Sequence, residues 1–235
     1  MTSSDNSAAA PDADRATAGI VHIGIGAFHR AHQAVYTDVA MQAKGGNWRI
    51  IGVSLRSTEI VDALNAQDCA FTVIERHPDG PKALRITSLS KAIAASRDIA
   101  SVLDALTDPA IGIVTITVTE KAYGIDRVSG AVQAEHPAVK HDLANSATPT
   151  GLLGILVAGL KRRKQAGIRP FTIVSCDNLP SNGVLLRNGV IDFATRVDPD
   201  LAGWIEENVS FPSTMVDRIT PAATARTFED AKSLT

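Results

Sequence analysis

Short apolar runs of strand length alternate with helix-length segments along most of the chain, and this alternation limits the possible folds more than any other feature. The apolar runs that predict buried strands lie at residues 20–25, 49–55, 111–119 and 171–175. The segments that predict helices lie at residues 28–43, 98–106, 150–166, 183–196 and 200–209, and one more, capped by Ser57 or Thr58, runs to about Asn65. Strands joined through helices pair in parallel through right-handed crossovers. The sequence therefore predicts an α/β fold with a doubly wound, mostly parallel sheet.

Two further strand-like runs, at residues 71–76 and 84–88, lie closer together than the others. The segment HPDGPK between them has the composition of a turn. Two strands joined by a short turn pair antiparallel. We therefore expect a β-hairpin inserted into the alternating pattern.

The length and composition of the chain are those of an ordinary globular protein. Its 235 residues, of which 45% are hydrophobic, suit one large domain, predicted over residues 19–235. The acidic, apolar-poor start predicts a disordered arm over residues 1–18 rather than a signal peptide. No apolar run reaches the roughly 20 residues that a membrane span needs, so no membrane partner is predicted.

The charge and cysteine content argue against several functional classes. A net charge of −2 gives no electrostatic footprint for nucleic acid. The basic run at residues 161–164 ends a predicted helix, where cations favour the helix dipole. Cys69 and Cys176 are far apart and have no partner motif, so neither a disulfide nor a zinc site is predicted. A reducing cytoplasm is the expected location.

A glycine pair between the first strand and the first helix indicates a nucleotide-binding turn. Gly24 would allow the tight turn, and Gly26 would let the backbone approach a pyrophosphate at the helix N-terminus. The alternative is a plain packing turn, because the third glycine of the usual fingerprint is missing and His29 stands in its region. Arg30 opposes the helix dipole, which a nearby phosphate would explain, although a solvated helix face is the alternative. His29 and His32 lack an acidic neighbour in sequence, so no metal is predicted.

Polar residues also follow the other predicted strands, where ligands of open α/β sheets bind. After the second strand, Arg56 and Ser57 stand where an NAD enzyme usually has an acid, which leaves the choice between NAD and NADP open. The hydroxyl of Thr117 and the carboxylate of Glu120 suit a nicotinamide ribose and a proton path; the alternative is a Glu120–Lys121 ion pair.

The fourth strand is followed by residues that can act on a substrate oxygen. The amide of Asn178 can donate a hydrogen bond to such an oxygen, as an oxyanion stabiliser does. The alternative role for this loop is to cap the next helix, and for Asn182 that role is favoured.

Four segments, in this order along the chain, resemble one known family. GIGAFHRAHQAVY, TVTEKAY, SCDNLPSNG and FPSTMVDRITP are similar to motifs of the polyol-specific long-chain dehydrogenases, which include mannitol 2-dehydrogenase and fructuronate reductase. The resemblance implies an N-terminal Rossmann-type domain followed by a mostly helical substrate domain. It also implies zinc-independent hydride transfer between NAD or NADP and a sugar alcohol or sugar acid, in the cytoplasm.

The resemblance assigns roles to individual residues. It implies that Asn178 is one arm of an oxyanion hole, that Glu120 lies on a proton path and that Asp217 faces the substrate. The residues expected at the cofactor are Gly24, Gly26, Phe28 and Arg30, to which the strand-end positions add Arg56 and Thr117.

One departure from the family concerns the general base. The family places this base, a lysine, in a Lys-x4-Asn-x2-His motif of the second domain, and no lysine of this chain has that spacing. We therefore expect the chain to be the NAD(P)-binding part of the enzyme, without the C-terminal substrate domain. The alternative is a catalytically inactive, truncated nucleotide-binding remnant. The segment WIEENVSFPSTMVDRITPAAT favours a fructuronate reductase slightly over a mannitol dehydrogenase.

Overall fold

The structure, a computed structural model, describes residues 17–127 and 129–235 and confirms the predicted α/β fold. Five parallel strands form the main sheet in the order β5-β2-β1-β6-β7, and β3 and β4 form a separate antiparallel pair. The strands are β1 (Ala18–Ile23), β2 (Arg49–Ser54), β3 (Phe71–His77), β4 (Gly80–Ile86), β5 (Leu89–Ala94), β6 (Ile113–Ile116) and β7 (Thr172–Ser175).

Helices cover both faces of this sheet. The helices of the described residues are α1 (Ala27–Ala31), α2 (Gln33–Lys44), α3 (Glu59–Asn65), α4 (Ile99–Thr107), α5 (Pro137–Ala144), α6 (Leu152–Ala166), α7 (Asn182–Val197), α8 (Pro199–Asn208) and α9 (Ala225–Leu234). The last of them, α9, packs against β3 and β4 instead of the main sheet. Val21 and Ile23 of β1 belong to the core beneath α4, α6 and α7, whereas Ile20 belongs to the core beneath α2 and α3. Because successive side chains of a strand point to opposite faces, one apolar strand supplies both cores.

The predicted hairpin is present, but the strand that follows it was not predicted. β3 and β4 pair from Phe71–Ile86 to His77–Gly80 and lie in the crossover between α3 and β5. β5 begins only three residues after β4 ends and contains the polar Lys91. Nothing in the apolar pattern therefore separates β5 from the hairpin, yet β5 forms the edge of the main sheet.

Several predicted boundaries were wrong for local reasons. The helix expected over residues 28–43 is broken at His32, whose N–H bonds to the His29 carbonyl, so that α1 and α2 are separate. Neither Ser57 nor Thr58 caps α3 with its side chain. The sequence prediction also missed α5 and α9.

No helix in the described ranges is long and apolar enough to cross a membrane.

The predicted disordered arm over residues 1–18 falls mostly outside the described residues, which begin at Thr17. Its last residue, Ala18, is the first residue of β1 and is buried. The strand thus starts two residues earlier than predicted.

The basic run that ends α6 contains one arginine with a structural role. Arg163 is 1% exposed and its guanidinium lies 4.9 Å above the Phe171 ring. It donates hydrogen bonds of 2.6–2.8 Å to the carbonyl oxygens of Leu106, Asp108, Ile111 and Arg169. Arg163 lies in the last turn of α6, as the helix-dipole prediction requires, but the sequence did not predict its burial or these hydrogen bonds. This side chain joins the ends of α4 and α6 to the starts of β6 and β7.

We predict that Arg163→Met destabilises the domain by about 3 kcal/mol, because several buried carbonyl groups lose a charged donor at once. The neighbouring Arg162 makes only an exposed ion pair with Asp104, so Arg162→Met should change the free energy of unfolding by less than about 0.5 kcal/mol. Urea unfolding followed by circular dichroism measures both. Equal effects of the two substitutions would contradict the assigned role.

Candidate functional site

A cavity of about 790 Å³ opens at the carboxyl ends of β1, β2 and β6. It collects five of the six residues predicted at a cofactor, namely Gly24, Gly26, Arg30, Arg56 and Thr117. The other lining residues are Ile25, Ser54, Leu55, Ser57, Ile60, Val118, Thr119, Lys121, Ala122 and His136. Parallel strands end at one edge of a sheet, so residues far apart in sequence meet there.

The glycine turn at the mouth of this cavity depends on the absence of side chains. Gly24 has φ +107°, and a Cβ there would lie 1.9 Å from the carbonyl oxygen of Thr117. Its N–H donates to Val53 and its carbonyl accepts the N–H of Gly26, each at 2.7 Å. A Cβ on Gly26 would meet only the Gly24 carbonyl, 3.9 Å away, and so would extend into open space. Gly24 thus shapes the turn, and Gly26 keeps the space above it clear.

Arg30 lines the cavity and also supports the glycine turn. Its Nη1 donates a 2.8 Å hydrogen bond to the carbonyl oxygen of Ile25. Burial lowers the pKa of the Arg30 guanidinium from its usual value, but arginine remains a cation in proteins. One nitrogen therefore holds the loop while the charge stays at the cavity wall.

The charged groups that line the cavity are all cationic. Arg30, Arg56 and Lys121 contribute positive charge, and no Asp or Glu is among the described lining residues. The acid nearest in sequence to Arg56 is Glu59, which does not line the cavity. Its carboxylate accepts a 2.8 Å hydrogen bond from the hydroxyl of Ser57. Such a wall suits an anionic ligand such as a pyrophosphate.

His136 and Lys121 reach the cavity from beyond β6, and sequence reasoning did not assign either to a cofactor. His136 lies at the start of α5, an element that was not predicted. Lys121 belongs to a short 3₁₀ turn over Glu120–Ala122. Their places in the wall depend on the path of the chain after β6, for which the sequence carries no spacing signal.

Asp177, after β7, ties the ends of two neighbouring strands together. Its carboxylate accepts the Val118 N–H at 3.1 Å and the Tyr123 hydroxyl at 2.6 Å. Burial raises the pKa of the Asp177 carboxyl above its usual value. The Tyr123 oxygen also lies 2.7 Å from the hydroxyl of Ser175. The next residue, Asn178, is exposed on the loop, and its predicted role in binding an oxyanion stays a prediction.

The sequence predicted that Asn182 caps the helix over residues 183–196, but in the structure it does not. It is the first residue of α7 and is 1% exposed. Its amide nitrogen lies 3.0–3.2 Å from the carbonyl oxygens of Ser175, Asp177 and Thr214, and its oxygen accepts the Thr214 N–H. The expectation of a cap is therefore wrong. The Asn182 side chain thus links the loop over residues 175–178, through hydrogen bonds, to the extended segment that carries Asp217.

Besides Asn178, three predicted residues lie outside the cavity lining. Glu120 forms an ion pair with Arg127 at 2.6 Å. The Glu120–Lys121 ion pair that the sequence suggested as an alternative is not the one formed. Phe28 stacks on the His32 ring with centroids 5.1 Å apart. Asp217 is exposed in the extended segment after α8. The roles predicted for these residues stay predictions.

Comparisons with known proteins identify the family of this chain. A family model described as the mannitol dehydrogenase Rossmann domain matches residues 18–234. Mannitol 2-dehydrogenase of Cereibacter sphaeroides is 46% identical over 88% of this chain and 44% of its own length. D-mannonate oxidoreductase of Escherichia coli is 40% identical over 93% of this chain and 46% of its own length.

A solved structure extends the similarity to three dimensions. The ternary complex of Pseudomonas fluorescens mannitol 2-dehydrogenase with NAD and D-mannitol superimposes with a TM-score of 0.87 at 41% identity. The match covers 92% of this chain and 45% of that chain. The chain thus spans about half the length of the relatives that it matches. With the family model matched from β1 to α9, the chain belongs to the mannitol dehydrogenase Rossmann domain family.

Proposed function

We propose that the cavity binds NAD(H), and that the chain is the cofactor domain of a zinc-independent oxidoreductase that interconverts a polyol or hexonate with its keto form. The observation that carries this proposal is the combination, in one cavity, of the glycine turn with three cations and no lining carboxylate among the described residues. The similarity to a mannitol 2-dehydrogenase solved with NAD supports the choice of cofactor.

The residues of the wall fit the parts of a dinucleotide. The open space above Gly26 and the charge of Arg30 suit the pyrophosphate. Arg56 and Ser57 follow β2, the strand whose end meets the adenosine ribose in this fold, and Thr117 follows β6 on the opposite side of the turn. The nicotinamide supplies the hydride chemistry when bound, and the protein supplies position and electrostatics.

On the substrate side, we propose roles for three residues that lie outside the cavity. The amide of Asn178 donates to the keto oxygen, Asp217 faces the sugar, and Glu120 lies on the proton path. No metal is needed in this scheme. The mannitol- and mannonate-type relatives are 46% and 40% identical, too close to separate the two substrate classes. A cytoplasmic location remains part of the proposal.

We predict that Gly26→Ala weakens NADH binding at least tenfold, because its methyl group occupies the space left for the pyrophosphate. The substitution should leave the free energy of unfolding within about 0.5 kcal/mol of the wild-type value, since no atom lies within 3.9 Å of the new Cβ. NADH fluorescence titration and urea unfolding measure the two effects.

Gly112→Ala is the matched control for this experiment. A Cβ on Gly112 would also extend into open space, with nothing within 4 Å, but this glycine lies before β6 at the opposite edge of the sheet. The NADH affinity of this variant should match that of the wild type. Unchanged affinity in Gly26→Ala would contradict the assignment of the cavity.

A second prediction concerns the two arginines of the wall. Arg30→Ala should weaken NADH and NADPH alike, because it removes both a cation and the bond to Ile25 from the glycine turn. Arg56→Ala should weaken NADPH more than NADH, because only NADPH carries a 2′-phosphate for this side chain to meet. Fluorescence titrations with NADH and NADPH at two salt concentrations measure these affinities. An equal loss of affinity for both cofactors in Arg56→Ala would refute the contact between Arg56 and the 2′-phosphate.

The competing proposal is a nucleotide-binding remnant without catalytic function. We predict that the 235-residue chain binds NADH but reduces neither fructose nor fructuronate, because it lacks a lysine in the base motif. Steady-state assays with both substrates test this prediction, and clear turnover by this chain would contradict it. Joining the chain to the C-terminal half of the Cereibacter relative should restore turnover if the domain is catalytic. A remnant would remain inactive in the same fusion.

A further inference from the structure

Two buried histidine rings lie directly beneath the glycine turn. His22 of β1 and His29 of α1 are both 0% exposed, and their rings stack with centroids 3.5 Å apart and planes 15° from parallel. Burial lowers the pKa of His22 to about 3, so its ring is neutral at physiological pH. Neither ring has a role in the function proposed above.

His22 contacts a different polar partner with each of its ring nitrogens. Nδ1 lies 2.7 Å from the hydroxyl of Thr115, the residue paired with His22 in the neighbouring strand. Nε2 lies 2.8 Å from the hydroxyl of Thr117 and 3.1 Å from the carbonyl oxygen of Gly24. The ring therefore spans the gap between two strands and reaches the first glycine of the turn.

The partners decide which nitrogen carries the proton of the neutral ring. A carbonyl oxygen only accepts hydrogen bonds, so Nε2 must be protonated to bind Gly24. Nδ1 then accepts from Thr115, whose hydroxyl lies 2.9 Å from the Gln33 carboxamide. The atom of Gln33 nearest to Thr115 is its Oε1, which only accepts, so this arrangement requires the carboxamide turned by half a turn, with its nitrogen donating to Thr115.

The Gly24 carbonyl is the point where these contacts converge. It accepts the Gly26 N–H at 2.7 Å and the Thr117 hydroxyl at 2.8 Å, in addition to the contact with His22. A carbonyl held from three directions has a fixed orientation. The peptide plane between Gly24 and Ile25 is then fixed as well, because the carbonyl and the following N–H belong to one plane.

We propose that His22 is a positioning residue for the cofactor loop, which holds the Gly24 carbonyl inward so that the turn is already shaped to receive a dinucleotide. This inference rests on the function proposed above. His29 of α1 stacks on one face of the ring and restricts its rotation. A metal does not explain the pair, since no group of three or more His, Cys, Asp or Glu suited to a metal occurs within the described residues.

Two substitutions of His22 distinguish the contact made by Nε2 from the contact made by Nδ1. The amide nitrogen of a glutamine overlies Nε2 of a histidine, whereas the amide of an asparagine overlies Nδ1. His22→Gln therefore keeps a donor for Gly24 and loses the contact with Thr115, and His22→Asn does the reverse. Both remove a buried ring and its stacking, so both should lower stability by similar amounts.

We expect His22→Gln to bind NADH within about threefold of the wild type, and His22→Asn to bind at least tenfold more weakly. Fluorescence titration measures the affinities, and circular dichroism at the titration temperature verifies that each variant is folded. Equal losses in the two variants, or no loss in His22→Asn, would overturn the proposal. If the wild-type chain binds no NADH, the proposed function fails instead.

A measurement on the unaltered chain keeps the proposal testable if a variant does not fold. Long-range ¹⁵N–¹H correlation spectra of the imidazoles report which nitrogen is protonated. We expect the Nε2–H form for His22 from pH 6 to pH 8, with and without NADH. The Nδ1–H form would overturn the proposal, because Nε2 would then have no proton to donate to Gly24.

Discussion

The close approach of β1 and β6 at their carboxyl ends is the constraint on which the site depends. Gly24 lies so near Thr117 that any side chain at position 24 would strike the Thr117 carbonyl. The hydroxyl of Thr117 then reaches back to the Gly24 carbonyl at 2.8 Å. The two strand ends thus form one rigid unit, with the start of α1 and the cations of the wall arranged around it.

The same edge of the sheet is tied further along by side-chain hydrogen bonds. Asp177 joins the end of β7 to Val118 after β6, and Asn182 joins that loop to Thr214. The function proposed above would place a cofactor beside Thr117 and a substrate oxygen beside Asn178, at the ends of these neighbouring strands.

Much of the fold could be predicted because its signals are local. Each of these signals predicts the element in which it lies: β-branched runs predict β1, β2, β6 and β7, and a turn composition predicts the connection between β3 and β4. β5 was missed because Lys91 interrupts a short run that directly follows the hairpin. The break at His32 was missed because neither Pro nor Gly marks it.

The candidate site divides in the same way. Gly24, Gly26 and Arg30 were predicted from the glycine turn and the family resemblance, and Arg56 and Thr117 from their places at strand ends. One cavity contains all five. His136 and Lys121 join that cavity, and Glu120 pairs with Arg127, through the path of the chain after β6. Pairings between residues many positions apart have no periodic signal in a single sequence.

The amino-acid sequence alone determined the layered α/β architecture, the hairpin and the position of the glycine turn, because apolar periodicity and glycine conformational freedom act over a few residues. Only the tertiary structure decided that Arg163 is buried among carbonyl groups, that Asn182 fastens a loop, and that two histidines lie stacked beneath the turn. These roles depend on desolvation and on partners from distant segments. Such partners exist only after the strands have assembled into the sheet.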